Sequence, residues 1–372
     1  MGGCVGREPR ILMVRLSALG DVIHALPALA ALRAAFPAAH LGWLVEDRAA
    51  GLLAGHPQLD RVHVVPRKTW GERAGRDPLA VMPQVRGLVR ELRRERYQVA
   101  LDFQSNFRSG LLAWLSNAPR RIGQPRRYAK EGARWLFLPE APQGVPPEVH
   151  KIERNLQLLR PLGVSIDPVP RPVLPPFEPA AAALLDSLRA EPGPRVVMSP
   201  GVSAFGALKA WREDRFAELA RGLLARGARV TLAWGGAQEE AQAARIAAAA
   251  PGALPAPRTG SLSQLTALLC AADLFVGVDS GPLHLAAALG RPVLGLYGPK
   301  HPGTYGPYWP GHRIVRSGIE CSPCRHRRCP REDVALVETP AGTQRISPCM
   351  DRLGAEVALQ AACELLGPAL QA

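Results

Sequence analysis

The sequence predicts an α/β protein built from two Rossmann-like units, each a parallel sheet covered by helices, and three observations carry that reading. Short apolar runs alternate with helical stretches along nearly the whole chain, the pattern of parallel sheets with helices on both faces. Small and polar residues collect where those runs end, which is where such sheets hold their ligands. A proline-rich stretch interrupts the alternation near the middle of the 372 residues, and a chain of that length favours two cores over one.

Taken in order, Arg10-Ile11-Leu12-Met13-Val14-Arg15-Leu16 is a short apolar run typical of a buried parallel strand. Ser17-Ala18-Leu19-Gly20-Asp21 follows, and then Val22, Ile23, Ala25, Leu26, Leu29 and Leu32 recur at helical spacing. Ser17, Gly20 and Asp21 thus stand outside the carboxyl end of the first strand, although a lone Asp there also suits an ordinary helix start. Leu41 to Val45, ending in Glu46, then Arg61 to Val65 and Gln98 to Phe103 read as further strands, with helical spacing over 77–96. Asp102, Gln104, Ser105 and Asn106 gather at the last strand's end. Arg86, Arg90, Arg93, Arg94 and Arg96 read as a solvated helix face. Arg120, Arg121, Arg126, Arg127, Lys130 and Arg134 lie in loop-rich sequence and are better candidates for gripping an anionic acceptor, since arginine binds phosphate through two bonds at once. A helix opens at His150-Lys151 and ends near Gly163.

Residues 168–179 carry six prolines in twelve positions, which excludes helix and central strand and marks an extended connector. The first unit is therefore 1–167 and the second begins at 180. Arg195 to Ser199 is its first strand, leading into a glycine-containing loop with Ser203 and Lys209. Such a loop can wrap a diphosphate and set a cation on it; an ordinary β–α loop with a surface lysine is the alternative. Arg229 to Trp234 is a strand ending in Gly235-Gly236 and then Glu239 and Glu240, where a carboxylate can accept from ribose hydroxyls. Ser261 caps a helix running from Leu262 to Cys270.

Leu274 to Val278 is a buried strand running into Asp279-Ser280-Gly281-Pro282-Leu283-His284, with a helix starting near Pro282. Unpaired backbone N–H groups and the helix dipole favour an anion there. Ser280 adds a hydroxyl donor, Gly281 lets a phosphate approach the backbone, and His284 can donate one turn in. The loops at Ser203/Lys209, Glu239 and Asp279/His284 would converge on one sheet edge as a nucleotide-diphosphate pocket.

Several of these motifs resemble a family. Arg15 to His24, the Pro-Gly-x-Ser loop with Lys209-x-Trp211, Trp234-Gly235 with Glu239, and Asp279-Ser280-Gly281-x-x-His284 followed by Tyr297-Gly298-Pro299 are similar in order and spacing to the lipopolysaccharide heptosyltransferases of glycosyltransferase family 9. The resemblance covers nearly the whole chain. It implies a GT-B architecture, two Rossmann-like domains facing across a cleft, with the acceptor on the first and ADP-heptose on the second. It also implies that residues 180–350 are the donor domain and that 351–372 pack back on the first domain as a closing helix. By the same resemblance Asp21 is the general base and Lys209 neutralises the leaving diphosphate. Glu239 would hold ribose, Leu262 would lie near adenine, and Asp279, Ser280, Gly281 and His284 would cradle the phosphates and heptose. Ser17, Gly20 and Ser203 complete the substrate-binding set. The activity implied is inverting transfer of L-glycero-D-manno-heptose to the phosphorylated inner core of lipopolysaccharide, on Kdo-lipid A or a heptosyl acceptor.

Inverting transfer needs one base for the acceptor hydroxyl and electrostatic help for the leaving nucleoside diphosphate, and these residues supply both. No Asp-x-Asp motif is present, so a metal-independent reaction without a cofactor is expected. The net charge of +14 points to an acidic partner, whether nucleic acid, an anionic membrane surface or a phosphorylated substrate. The 5% of aromatic residues and the lack of a recognisable nucleic-acid module make nucleic acid the weaker of these. The phosphorylated glycolipid at an anionic membrane face that the resemblance implies suits that charge. No run of ~20 apolar residues is present, and the first ten residues lack the apolar stretch of a secretory signal. A cytoplasmic protein at the periphery of the inner membrane is expected. Cys321-x2-Cys324-x4-Cys329, with Cys349 beyond, has spacing compatible with a four-thiolate zinc site; reduced, incidental cysteines are the alternative. A GT-B transferase using another nucleotide sugar, and a non-catalytic nucleotide-binding module, are the competing readings.

Overall fold

The computed structural model describes residues 8–74, 78–129, 134–324, 326, 328–340 and 342–367. They belong to two compact units that divide at Pro176 and Phe177, inside the proline-rich stretch. Pro179 already opens the helix Pro179–Arg189, because a proline suits the first turn of a helix, where its missing N–H is not needed.

In the first unit β1 (Arg10–Val14), β2 (His40–Glu46), β3 (Arg61–Val65), β4 (Val99–Asp102) and β5 (Arg120–Gly123) form one sheet in the order β3-β2-β1-β4-β5. All neighbouring pairs are parallel, with Ile11 opposite Leu41 on one side and Val99 on the other. β1 is central and covered on both faces, so Ile11, Leu12, Met13 and Val14 are all buried; this is why the strand reads as an unbroken apolar run. At its centre Gly42 leaves room for Tyr97, whose hydroxyl would lie 1.8 Å from any Cβ placed there. The helical spacing over 77–96 resolves into a tight turn at Pro78–Val81 and a helix at Met82–Arg94; Asp77 lies outside the described residues.

The second unit repeats the plan. β6 (Arg195–Ser199), β7 (Arg229–Leu232), β8 (Leu254–Pro255), β9 (Leu274–Val278), β10 (Val293–Leu296) and β11 (His312–Val315) are ordered β11-β10-β9-β6-β7-β8 and are parallel throughout. In both sheets the chain winds outward from a central pair, β1/β4 in the first and β6/β9 in the second. Consecutive crossovers leave such a pair toward opposite sides, which opens a crevice at its carboxyl ends. A small antiparallel hairpin, β12 (Ala335–Thr339) with β13 (Gly342–Ile346), follows β11; the sequence reading did not anticipate it.

The closing helix Ala355–Leu366 does not match the expected packing on the first unit. Its buried residues Ala355, Ala358, Ala361, Ala362 and Leu366 belong to the core of the second unit. The reason is an alanine face that reaches its neighbour only by close approach. On the facing helix Glu213–Leu224 a Cβ at Gly222 would meet Leu359 at 2.5 Å. Trp211, wholly buried, donates from Nε1 to the Leu353 carbonyl at 2.9 Å and packs edge-on against Phe216.

Candidate active site

The first unit gathers its chemistry at the β1/β4 crevice. Gln104 Oε1 accepts from the backbone N–H of Leu16 at 3.0 Å and of Ser17 at 3.2 Å, which ties the two strand ends together. The short helix Leu19–Ile23 begins there with Asp21 in its first turn, and Ser17 and Gly20 are partly exposed beside it. Asp21 does more than start a helix. Its carboxylate pairs with Arg15 at the end of β1 and with Lys151, the first residue of the helix Lys151–Gln157. Asp21 keeps 22% of its side chain exposed, against 5% for Arg15 and 12% for Lys151, so of the three the carboxylate is the most open to a ligand.

Behind Arg15 stands a second carboxylate. The guanidinium donates to the Phe103 carbonyl at 2.6 Å and lies near enough to Asp102 to feel its charge. Burial pulls Arg15 down to about 10, with Asp102 partly opposing. Asp102, at the end of β4, is wholly buried and accepts from Gln104 N at 2.8 Å, Ser105 N at 2.9 Å and Ser109 Oγ at 2.7 Å. Burial nevertheless pushes its carboxyl up to about 6. The sequence reading noticed Asp102 but not the roles of Arg15 and Lys151. A charged residue inside the run Ile11 to Leu16 was the signal, since a buried guanidinium demands partners.

The loop arginines divide. Arg120 bonds Glu140 at 2.7 Å, and Arg121 bonds the carbonyls of Phe137 at 2.8 Å and Ala118 at 2.7 Å, so these two hold the loop and do not match the expected acceptor grip. Arg126 and Arg127 are exposed; Lys130 and the side chain of Arg134 lie outside the described residues. Arg86, Arg90, Arg93, Arg94 and Arg96 are exposed as a solvated face should be. Two cations the sequence reading passed over, Arg67 and Arg108, pair with buried Glu46 at the end of β2, at 3.3 and 2.6 Å.

The second unit builds its cluster at the β6/β9 crevice. Lys209, in the loop after β6, donates from Nζ to the Asp279 carbonyl at 2.6 Å and to its Oδ2 at 3.1 Å. Oδ1 of Asp279 meets His284 Nε2 at 3.0 Å. Burial works to raise the Asp279 carboxyl, but His284 and Lys209 together hold it well below the usual carboxylate range. Ser280 occupies the N-cap of the helix Gly281–Ala288 without making a capping bond, and its buried hydroxyl has no hydrogen-bond partner among the described residues. That hydroxyl and the first N–H groups of the helix are donors of the kind that can receive an anion. Glu239 accepts from the Gly235 N–H at 2.7 Å and packs against Gly201, where a Cβ would fall 2.6 Å from its Cδ. Ser203 is exposed at the start of the turn Ala204–Lys209, and Leu262 is partly exposed at the first position of the helix capped by Ser261.

Residues 85–335 match the family model for glycosyltransferase family 9 (heptosyltransferase). The chain is also 32% identical over 363 residues, 96% of its length and 99% of the relative's, to lipopolysaccharide heptosyltransferase 1 of Pseudomonas aeruginosa.

The chain belongs to glycosyltransferase family 9.

This family 9 enzyme is 28% identical to lipopolysaccharide heptosyltransferase 1 of Escherichia coli K12, over 91% of this chain and 99% of that one. The solved structure of E. coli heptosyltransferase WaaC with ADP superposes at a TM-score of 0.73 and 26% identity, covering 96% of this chain and 99% of that chain. E. coli ADP-heptose lps heptosyltransferase II has the same fold, at a TM-score of 0.72 and 23% identity over 96% of this chain and 98% of that one. The fold is therefore GT-B, and the chain is a glycosyltransferase.

Proposed function

We propose that this family 9 glycosyltransferase moves L-glycero-D-manno-heptose from ADP-heptose to an inner-core acceptor of lipopolysaccharide, inverting the anomeric carbon. The observation that carries the reading is the Lys209–Asp279–His284 cluster beside the unpartnered Ser280 hydroxyl at a sheet switch point, an arrangement that would suit a diphosphate. Relatives named for heptosyl transfer support the sugar, and both are type 1 enzymes, which favours an acceptor that carries no heptose yet.

In this reading Asp21 removes the proton from the acceptor hydroxyl. The oxygen's electron pair then forms the new bond to the anomeric carbon, and the bond from that carbon to the diphosphate breaks on the opposite face. Negative charge grows on the departing phosphate oxygen, where Lys209, the Ser280 hydroxyl and the amino end of the helix Gly281–Ala288 offset it. Glu239 takes the ribose hydroxyls, Leu262 borders the base, and Ser203 and Gly281 lie along the phosphates. Ser17 and Gly20 border the acceptor beside Asp21. No helix among the described residues is long and apolar enough to cross a membrane, and the net charge of +14 suits attachment to the anionic cytoplasmic leaflet where the acceptor is embedded.

The test is incubation of the purified chain with ADP-heptose and a graded set of truncated core acceptors, with products identified by mass. Addition of one heptose to the heptose-free acceptor is expected. Release of ADP with no mass gain on any acceptor would sink the assignment, and gain only on an acceptor that already bears heptose would move it to the later step.

A further inference from the structure

Sugar transfer makes no use of the arginine row on the helix Met82–Arg94, nor of an apolar stripe on the helix beside it. That second helix, Phe107–Leu115, starts at a capping box between Asn106 and Ser109. Leu112 and Ala113 turn into the core of the first unit, which leaves Phe107, Leu111 and Trp114, at i, i+4 and i+7, along the outer face. Phe107 is 44% and Trp114 47% exposed. Phe137 bridges the two, its ring centroid 5.4 Å from that of Phe107 and 6.1 Å from that of Trp114, and Leu136 next to it is 73% exposed. Gly110 permits this approach, since a Cβ there would already stand 3.3 Å from that of Phe137. A lone exposed leucine carries no meaning, but aromatic and aliphatic side chains gathered on one surface mark an interaction site.

We propose that this stripe is the surface by which the chain dips into an anionic lipid leaflet. Charge selects that occupant. Arg86, Arg90 and Arg93 recur at i, i+4 and i+7 on the exposed face of Met82–Arg94, and Arg93 Nε donates to the Leu115 carbonyl at 3.0 Å, so the cationic row borders the apolar one. The helix Phe107–Leu115 has no acidic residue, and Glu91, the single one on Met82–Arg94, is held by Arg61 and His63. Aromatic rings settle at headgroup depth and arginines beside them reach lipid phosphates. A second copy of the chain fits less well, because two molecules of net charge +14 would have to press their arginine rows together. A stripe of two helical turns is too short to hold a protein to neutral lipid by itself, and stable attachment takes two signals. Charge therefore brings the chain to the leaflet, and the rings fix which face meets it. The stripe begins two residues before Ser109, whose hydroxyl donates to Asp102 at 2.7 Å, so the leaflet is brought to the edge of the crevice that holds Asp21. The inference deepens the leaflet attachment proposed above and rests on it.

The experiment follows the emission of Trp114, isolated as the difference between the native full chain and Trp114→Phe, as vesicles of phosphatidylglycerol or of phosphatidylcholine are added. On the anionic vesicles this emission should move to shorter wavelength and be quenched by lipids brominated just below the headgroup; on the neutral ones it should not change. Phe107→Ser/Trp114→Ser should lower partition onto the anionic vesicles by about tenfold or more, with circular dichroism unchanged. Leu336→Ser/Val357→Ser, which removes exposed apolar side chains from the second unit, should bind as the native chain does. Should the first variant fail to fold, quenching in the native chain decides. Sedimentation with anionic vesicles while Trp114 keeps its aqueous emission overturns this proposal and leaves the attachment by charge standing; no sedimentation at all overturns both. Equal shifts on the two lipids also overturn it. So does a dimer, seen in the ultracentrifuge, that the Phe107→Ser/Trp114→Ser variant abolishes without loss of vesicle binding, since the face would then belong to a second copy.

Discussion

The four charged residues of the first crevice set its behaviour residue by residue. Asp21→Asn keeps the shape but cannot take a proton, so the turnover rate should fall by roughly 10²–10⁴-fold, while ADP binding by calorimetry stays near wild type; full turnover would remove Asp21 from the role. Lys151 pairs with that same carboxylate. Lys151→Met should therefore lower the turnover rate while ADP binding by calorimetry stays near wild type, and a variant that keeps full turnover would show that the pair plays no part in it. Asp102 tests the linkage between charge and stability. Its carboxyl is pushed up from 3.8 to about 6 in the folded chain, so between those values the folded state holds more protons than the unfolded one. Its contribution is full below the lower value and fades as pH rises through the upper. Asp102→Asn should flatten the fall in denaturation midpoint between those pH values, an effect on the order of 2–3 kcal/mol. Asp279 has the opposite sign: its carboxyl is held low, so its contribution is present at neutral pH and is lost as pH falls below the ordinary carboxylate value.

At the scale of elements, the site depends on loops being held close to neighbouring backbone. Gly201, just after β6, leaves a gap that the Glu239 side chain fills. Gly201→Ala should drive Glu239 off the Gly235 N–H and raise the KM for the donor by about tenfold with the turnover rate nearly kept, the mark of lost ground-state binding. An equal KM in the two proteins would show that Glu239 does not meet the donor. Strands were legible wherever both faces are covered, as in β1 and β9, because double burial leaves an unmixed apolar run. The hairpin β12/β13 was not legible: its strands are mostly exposed and half-exposed and offer no apolar stripe. The turn from Asp279 to His284 could be read because helix-start chemistry is local in sequence. The partners of Asp21 could not, since Lys151 arrives from 130 residues away. The closing helix was misplaced for a related reason: an alanine face states that something packs closely but not which neighbour supplies the gap.

For the whole molecule, 46 basic residues against 32 acidic ones make attraction to anionic surfaces a property of the entire chain. Cosedimentation with vesicles rich in phosphatidylglycerol should be strong at low ionic strength. It should weaken steeply as salt shortens the screening distance to ~10 Å near 0.1 M, while neutral vesicles leave the protein in solution at every salt. Binding indifferent to salt would mean that an apolar anchor, and not charge, holds it to lipid. The two units share one winding scheme, with Asp21 in one and Lys209 in the other each following a central strand, where the strand order turns.

Trp211 lies two positions beyond Lys209, sealed from solvent and pinned to the Leu353 carbonyl. Its indole is consequently an intrinsic optical gauge for the loop proposed to meet the donor. The difference in emission between the native chain and Trp211→Phe isolates that indole from the other six tryptophans, so nucleotide arrival can be timed in a stopped-flow cell without attaching a dye.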